Sequence, residues 1–522
     1  MKSFFSTTSI SEPRPAPAST LPHLANLTSG RLLAGNAIWN LIGTCSPILI
    51  AVVCLPVLKH ALGTDRLGVI TLAWVFIGYF GLFDFGLSRA LTKLVAERLG
   101  QRQLHEIPSL VWTSLYIMAA LGLVGAVLTF ALSPWLVQRF VKVPAVLQRE
   151  TLVAFYWLSL SIPLVVITAG LRGVLEALQR FRLATAIRIP MGVFTYLGPV
   201  CVLPFSRSLV PIMAALVLGR GAACVAHLWA CLYSMPELRH DFRFSSSALR
   251  PLFRFGSWMT VTNIVGPMMV TFDRFVIGAM ISVAAVAYYA VPSEVVTKIL
   301  LIPAAIIGVL FPAFSTAHAG NRERLVLLFE SGIKYVLITL FPITLALVAF
   351  APEGLRFWLG NDFAHHSTFV VRCLLVGVFL NSLSLVPFAL IQSAGRPDLT
   401  AKLHLFELPL YIAMLVPLVK FRSIEGAAIA WLLRFAIDAF LLFVLAFRFL
   451  PSTVAAGSRL PAVVAAAVLF FALASVAMPF YMKVLLVSTV WAFFLMGAWF
   501  WSLSNRERSF VQSGLRGANV VS

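Results

Sequence analysis

Charge is scarce in this chain. Only 11% of its 522 residues are charged, and Asp and Glu together number 20 against 40 Lys and Arg. A soluble domain carries about 25% charged residues, so this composition excludes one of this size. No loop between apolar runs exceeds about 25 residues, which leaves no room for a soluble catalytic domain. The six cysteines (Cys45, Cys54, Cys201, Cys224, Cys231 and Cys373) form no CxxC pair and lie in or beside apolar runs, so neither a metal centre nor a disulfide framework is supported. The first 30 residues lack an apolar stretch and are rich in Ser, Thr, Pro and Ala. They read as a disordered tail and do not resemble a cleaved signal peptide.

What is present is hydrophobicity, 60% of residues, gathered into runs near 20 residues long. Such runs predict an all-α polytopic membrane protein, here with about fourteen transmembrane helices. The formal charge of +20 is scattered over short loops, so it speaks for topology and not for nucleic acid. With the N-terminus in the cytoplasm, 25 of the 40 Lys and Arg fall on the cytoplasmic side, 11 on the other and four inside spans. The positive-inside rule therefore places both termini in the cytoplasm.

The chain also resembles itself. Gly35 and Pro47 correspond to Gly256 and Pro267, EALQRFRL (176–183) to QSAGRPDL (392–399), and AALVLGRGAAC (214–224) to AAIAWLLRFAID (428–439). The last two matches pair Arg180 with Arg396 and Arg220 with Arg434. A six-span unit enters the membrane twice in the same direction, which predicts two six-helix lobes related by an axis along the membrane normal, with a cavity between them. The expected order is a cytoplasmic tail (1–30), a first lobe (31–236), a cytoplasmic linker (237–254), a second lobe (255–450), two appended spans (451–503) and a second cytoplasmic tail (504–522).

FDFGLSRALTKLVAE (83–97), DRFVIGAMISVAAVAYYAVPSEVVTKIL (273–300), FPAFS (311–315) and GRPDLTAKLH (395–404) are similar to patterns in bacterial polysaccharide-biosynthesis transporters. These are the O-antigen-flippase-like members of the multidrug/oligosaccharidyl-lipid/polysaccharide exporter superfamily. The resemblance covers about residues 30–450. It implies twelve or fourteen spans in the bacterial inner membrane. The implied activity is translocation of undecaprenyl-diphosphate-linked oligosaccharide, without catalysis, for O-antigen, capsule or exopolysaccharide synthesis. Lipid-linked oligosaccharide and membrane lipids are the implied partners, with polysaccharide polymerase and glycosyltransferases beside them.

Depth, at about 1.5 Å per residue across a core of roughly 30 Å, separates buried charges from interfacial ones. Arg220 and Arg434 fall near the midplane of matched spans, where a charge is a functional candidate by default. Arg434 has Asp438 four residues on, a spacing that also allows a simple ion pair. Glu294 and Lys298 lie in the eighth span, which Pro292 and Pro303 should break. Lys298, Arg220, Arg434 and Arg274 are the candidate cations for the diphosphate, since cationic cavities lower the desolvation cost of a doubly anionic headgroup. Asp84, Glu294, Asp273 and Asp438 are candidates for gating or for coupling to H+ or Na+; no other cofactor is expected. Asp84, at the cytoplasmic mouth, could pair with an arginine of the other lobe. Arg274 counts to the periplasmic interface, where snorkelling competes with an exit-gate role. His227 reads as a packing residue, and Arg180 and Arg396 as residues of cytoplasmic turns. Tyr288, Tyr289 and Trp258 could stack on sugars or anchor at the interface. Rival readings are a multidrug or small-molecule antiporter on the same fold, an enzyme such as a membrane glycosyltransferase, ligase or polymerase, and a non-transporting scaffold. The enzyme is disfavoured for want of a long loop.

Overall fold

The computed structural model describes residues 30–101, 103–239, 242–246, 249, 252, 269–318, 322–451, 460–502 and 508, and these form helices with no β-strand among them. Nearly all of both expected tails, part of the 237–254 linker, and Gly256, Trp258 and Pro267 lie outside the described residues. The first half comprises α1 (Gly30–Phe80), α2 (Leu87–Gly100), α3 (Ile107–Trp135), α4 (Ala145–Ser159), α5 (Ser161–Ala177), α6 (Phe181–Val202) and α7 (Leu209–Ser234). The second comprises α8 (269–280), α9 (Val283–Val296), α10 (Leu301–His318), α11 (Arg322–Ala349), α12 (Ala351–Leu359), α13 (Asn361–Ser393) and α14 (Pro397–Ala446). Two further helices follow, α15 (Leu460–Ala474) and α16 (Phe480–Gly497).

Ten described helical stretches are long and apolar enough to cross a membrane. Two of the helices turn back on themselves. At 51 and 50 residues, α1 and α14 would each run about 75 Å if straight, far beyond one bilayer. The reversals occur at Gly63 (φ 77°) and Ser423 (φ 56°). Counting both limbs of each, together with the short apolar α15 and with α8 as the described end of the seventh expected span, the protein makes fourteen passes.

The two halves repeat each other down to their corners. Between α5 and α6, Gln179 is left-handed (φ 59°), Gln179 N donates to Glu176 O and Arg180 N to Leu175 O. Between α13 and α14, Gly395 is left-handed (φ 74°), Gly395 N donates to Gln392 O and Arg396 N to Ile391 O. Each is a Schellman helix end, in which the two residues after the cap satisfy the last free carbonyls. The corresponding helices α5 and α13 sit at the centre of their halves. In α13, 78% of the most apolar stretch is buried. Without a hydrophobic drive between helices in lipid, close approach over small residues supplies the packing; a Cβ on Gly377 of α13 would stand 2.6 Å from the Trp431 ring of α14.

Two spans depart from the expected continuity. The apolar run of the second span extends over 67–88 in the sequence, but its helix ends at Phe80, and a 3-10 turn (Gly81–Asp84) leads into Phe85 and Gly86, both at positive φ. Asp84 holds this break: Gly86 N donates to Oδ1 at 2.7 Å and Ser88 Oγ to Oδ2 at 2.5 Å. Its buried carboxylate thus holds the start of α2, and among the described residues no arginine of the second half pairs with it. The eighth span breaks between its two prolines as expected, in a 3-10 turn at Thr297–Leu300.

Candidate functional site

A cavity of about 370 Å³ opens inside the second half, lined by α8, α9 with its 3-10 extension, α13 and α14. It brings together six of the eight candidate residues: Asp273 and Arg274 of α8, Glu294 and Lys298 of the broken eighth span, and Arg434 and Asp438 of α14. Arg220 and Asp84, both in the first half, do not line it.

Arg274 and Glu294 meet because of helix direction. Side chains lean toward the N-terminus of their own helix, and α8 and α9 run antiparallel, so Arg274 points away from the α8–α9 turn and Glu294 toward it. Arg274 Nη1 donates to Glu294 Oε1 at 2.9 Å and Nη2 to Ser293 Oγ at 3.1 Å. Glu294 lies eleven residues, about 16 Å, into its span. The guanidinium therefore reaches the depth of the midplane and does not snorkel to the interface. Asp273, 1% exposed, accepts from Tyr289 OH at 2.5 Å and from Arg274 N at 2.8 Å. Tyr289 is accordingly a buried donor to Asp273, while Tyr288 faces outward and donates to Asp362 Oδ2.

The spacing of Arg434 and Asp438 does not produce the ion pair it allows. Arg434 Nη1 donates to the Met269 carbonyl, and its guanidinium lies 4.5 Å from the Phe435 ring centre and 5.6 Å from that of Tyr411. Asp438 accepts from Ser384 Oγ at 3.2 Å and lies 3.8 Å from His404 Nε2. Beside it stands Glu407, 1% exposed, with neither carboxylate oxygen hydrogen-bonded. His404, Glu407 and Asp438 each bring one ligand atom within 4.8 Å of the others. Two adjacent buried carboxylates cannot both remain ionised without a proton or a cation between them. Their oxygen-rich donor set fits a hard cation such as Na+.

His404 and Glu407 escape the depth count because the apolar run that predicts the eleventh span starts near residue 402. That start puts Glu407 about 8 Å deep, whereas α14 begins at Pro397 and puts it about 15 Å deep. A lone Glu in an apolar run was the signal available.

The cations differ in how far they are neutralised. Arg274 is paired, and Arg434 has a carbonyl and two rings. Lys298 keeps 41% of its side chain exposed and lies 4.0 Å from Glu294 Oε2, which Arg274 already engages through the neighbouring oxygen. Arg220, at the matched position to Arg434, has Nε and Nη1 buried without a hydrogen-bond partner. His227 Nδ1 donates to the Ala223 carbonyl oxygen at 2.8 Å within its own helix, consistent with packing. Arg396 pairs with Asp398 at 2.9 Å in its exposed turn.

Residues 33–318 match the model of a family described as polysaccharide biosynthesis protein. A Shigella flexneri protein named as an O-antigen transporter is 31% identical over 417 residues, covering 78% of this chain and 96% of that one. The lipopolysaccharide biosynthesis protein WzxC of Escherichia coli (strain K12) is 25% identical over 389 residues, 72% of this chain and 73% of that one. Among solved structures, the lipid II flippase MurJ in an inward closed conformation superposes with a TM-score of 0.70 at 12% identity, covering 90% of this chain and 99% of that one.

Proposed function

This chain belongs to the polysaccharide biosynthesis protein family of O-antigen-flippase-like membrane transporters, and we propose on that premise that it flips an undecaprenyl-diphosphate-linked oligosaccharide. The direction is from the cytoplasmic to the outer leaflet of the bacterial inner membrane, with both termini in the cytoplasm. The observation that carries the reading is Arg220, a half-buried arginine in an apolar span whose Nε and Nη1 are buried without a hydrogen-bond partner. An arginine presents forked donors that match phosphate oxygens, and a diphosphate headgroup would satisfy what the protein leaves open. Lys298, the accessible cation of the second-half cavity, is the second contact.

Movement follows by alternating access: the two halves rock against each other while the polyprenyl tail stays in lipid. The coupling ion, H+ or Na+, binds at His404, Glu407 and Asp438. There it neutralises the paired carboxylates and alters the charge next to Arg434. Glu294 and Asp273 are held by Arg274 and Tyr289 and set the shape of the cavity. The product feeds a polysaccharide polymerase, and glycosyltransferases supply the substrate.

Restoration of surface glycan in a strain lacking its own flippase tests the reading, scored beside efflux of cationic dyes. Glycan restored without dye efflux is the expected result. Dye efflux without glycan would support the second reading, a small-molecule antiporter, which the two buried carboxylates of the second half favour. Neither activity would leave a scaffold role.

A further inference from the structure

We propose that the tip of the α8–α9 hairpin is a separable seal, docked into a notch of the first half and withdrawn when that side of the molecule opens. The notch has two walls. One is α1 at Gly68, where an added Cβ would lie 1.8 Å from the Val283 carbonyl oxygen. The other is the short strap 141–144 that follows α3, anchored by the buried Val141 and Val143.

Lys142 of the strap clasps both helix ends of the hairpin. Its backbone N donates to Gly278 O at 2.9 Å, and its ammonium donates to Met280 O at 2.6 Å. Its carbonyl accepts from Val283 N at 3.4 Å. The groups it meets are those a helix leaves unpaired, the last carbonyls of α8 and a first N–H of α9. A cation beside a helix C-terminus is favourable as well.

Both partners are rigid on their own. Ser282 caps α9 by accepting from Ala285 N at 3.1 Å. On the notch side, Arg66 bonds Glu150 at 3.0 Å, and Glu150 also accepts from Leu209 N, tying α1, α4 and α7 together. A second contact joins the halves on the other limb of α1, where Trp358 Nε1 of α12 donates to Val52 O at 2.7 Å.

The polar contacts at the hairpin tip are ones that water can replace. Helix-end carbonyls, an N–H and an exposed ammonium all rehydrate when separated, leaving no buried charge behind. Gly68, by contrast, is needed only while the hairpin is seated. A side chain there is compatible with the parted state and not with the docked one.

The test uses the full chain with its six native cysteines replaced, carrying Lys142→Cys and Met280→Cys. An oxidant should cross-link the pair in resting membranes and abolish transport, and a reductant should restore it. Gly68→Val should lower the cross-link yield and raise thiol labelling of a single Ser282→Cys. Should Gly68→Val fail to accumulate, Lys142→Ala serves instead; loss of one helix-terminus contact should raise labelling about two- to fivefold. Unimpaired transport by the cross-linked protein overturns the proposal. So does labelling unchanged by both the glycine and the lysine variants. The inference rests on the alternating-access reading, but labelling needs no substrate. Unchanged labelling with working glycan flipping sinks the seal alone, and responsive labelling without flipping sinks the substrate assignment alone.

Discussion

At the scale of the residue, the contrast between Glu294 and Glu407 carries the most weight. Glu294 has Arg274 at 2.9 Å, whereas Glu407 has no hydrogen-bond partner for either oxygen. Removing one member of a buried pair strands the other, so Arg274→Met should destabilise the protein by about 3–5 kcal/mol. Glu407→Gln keeps the side-chain shape and removes the repulsion between two adjacent buried carboxylates, and it should change stability by no more than about 1 kcal/mol in either direction. Thermal unfolding of the purified variants checks both. The same Glu407→Gln should abolish the response of transport to an imposed H+ or Na+ gradient, measured in proteoliposomes. Outside the membrane core, Glu353 of α12 titrates below the ordinary carboxylate range: burial pushes its pKa up, but the hydrogen bond and charge of Lys483, 2.8 Å away, outweigh that. A depressed folded pKa means the stabilisation is present above the unfolded value, about 4.3, and is lost as pH falls through the folded one. With 35% of the Glu353 side chain exposed, the effect is at most about 1 kcal/mol. Melting followed from pH 6 to pH 3 should show this loss in the native protein and not in Glu353→Gln. Depth counting from the sequence found Arg434 and Glu294 but overlooked Glu407, because an error of five residues in a helix start moves a side chain from the interface to the midplane.

At the scale of the element, the two matched corners make opposite predictions from one geometry. Gln179 and Gly395 occupy the same left-handed position, which is strained for a residue with a Cβ and free for glycine. Gln179→Gly should therefore stabilise the α5–α6 corner by about 0.5–1 kcal/mol, and Gly395→Ala should destabilise the α13–α14 corner by about 1 kcal/mol. Equilibrium unfolding resolves the sign of each. The sequence similarity of EALQRFRL and QSAGRPDL made this equivalence legible even though Gln stands where the other copy has Gly. The break at 81–86 was not legible. Arg89, Lys93 and Glu97, spaced four apart, all lie in α2 beyond the break, which is held by the hydrogen bonds from Gly86 N and Ser88 Oγ to Asp84. A local hydrogen bond of this kind leaves little trace in hydropathy.

At the scale of the whole molecule, composition alone was enough for the class. Scarce charge, repeated apolar runs and a six-span repeat led to a fourteen-pass, two-lobe transporter, because each is a property of many residues together. The charged cavity described here was harder to foresee. It lies within the second half, and its arginines are matched by Glu294, by carbonyls and by aromatic rings, arrangements that depend on which helices adjoin and not on any one span. On the proposed reading, the contacts for an anionic headgroup are Arg220 on one half and Lys298 on the other. The direct measurement is translocation of lipid-linked oligosaccharide in proteoliposomes containing equal amounts of native protein, Arg220→Ala, Lys298→Ala and the double variant. Each lost charge-assisted contact, worth about 1.5–3 kcal/mol, should slow translocation by about tenfold or more, and the double variant should be inactive. Translocation at the native rate by the folded double variant would contradict the account.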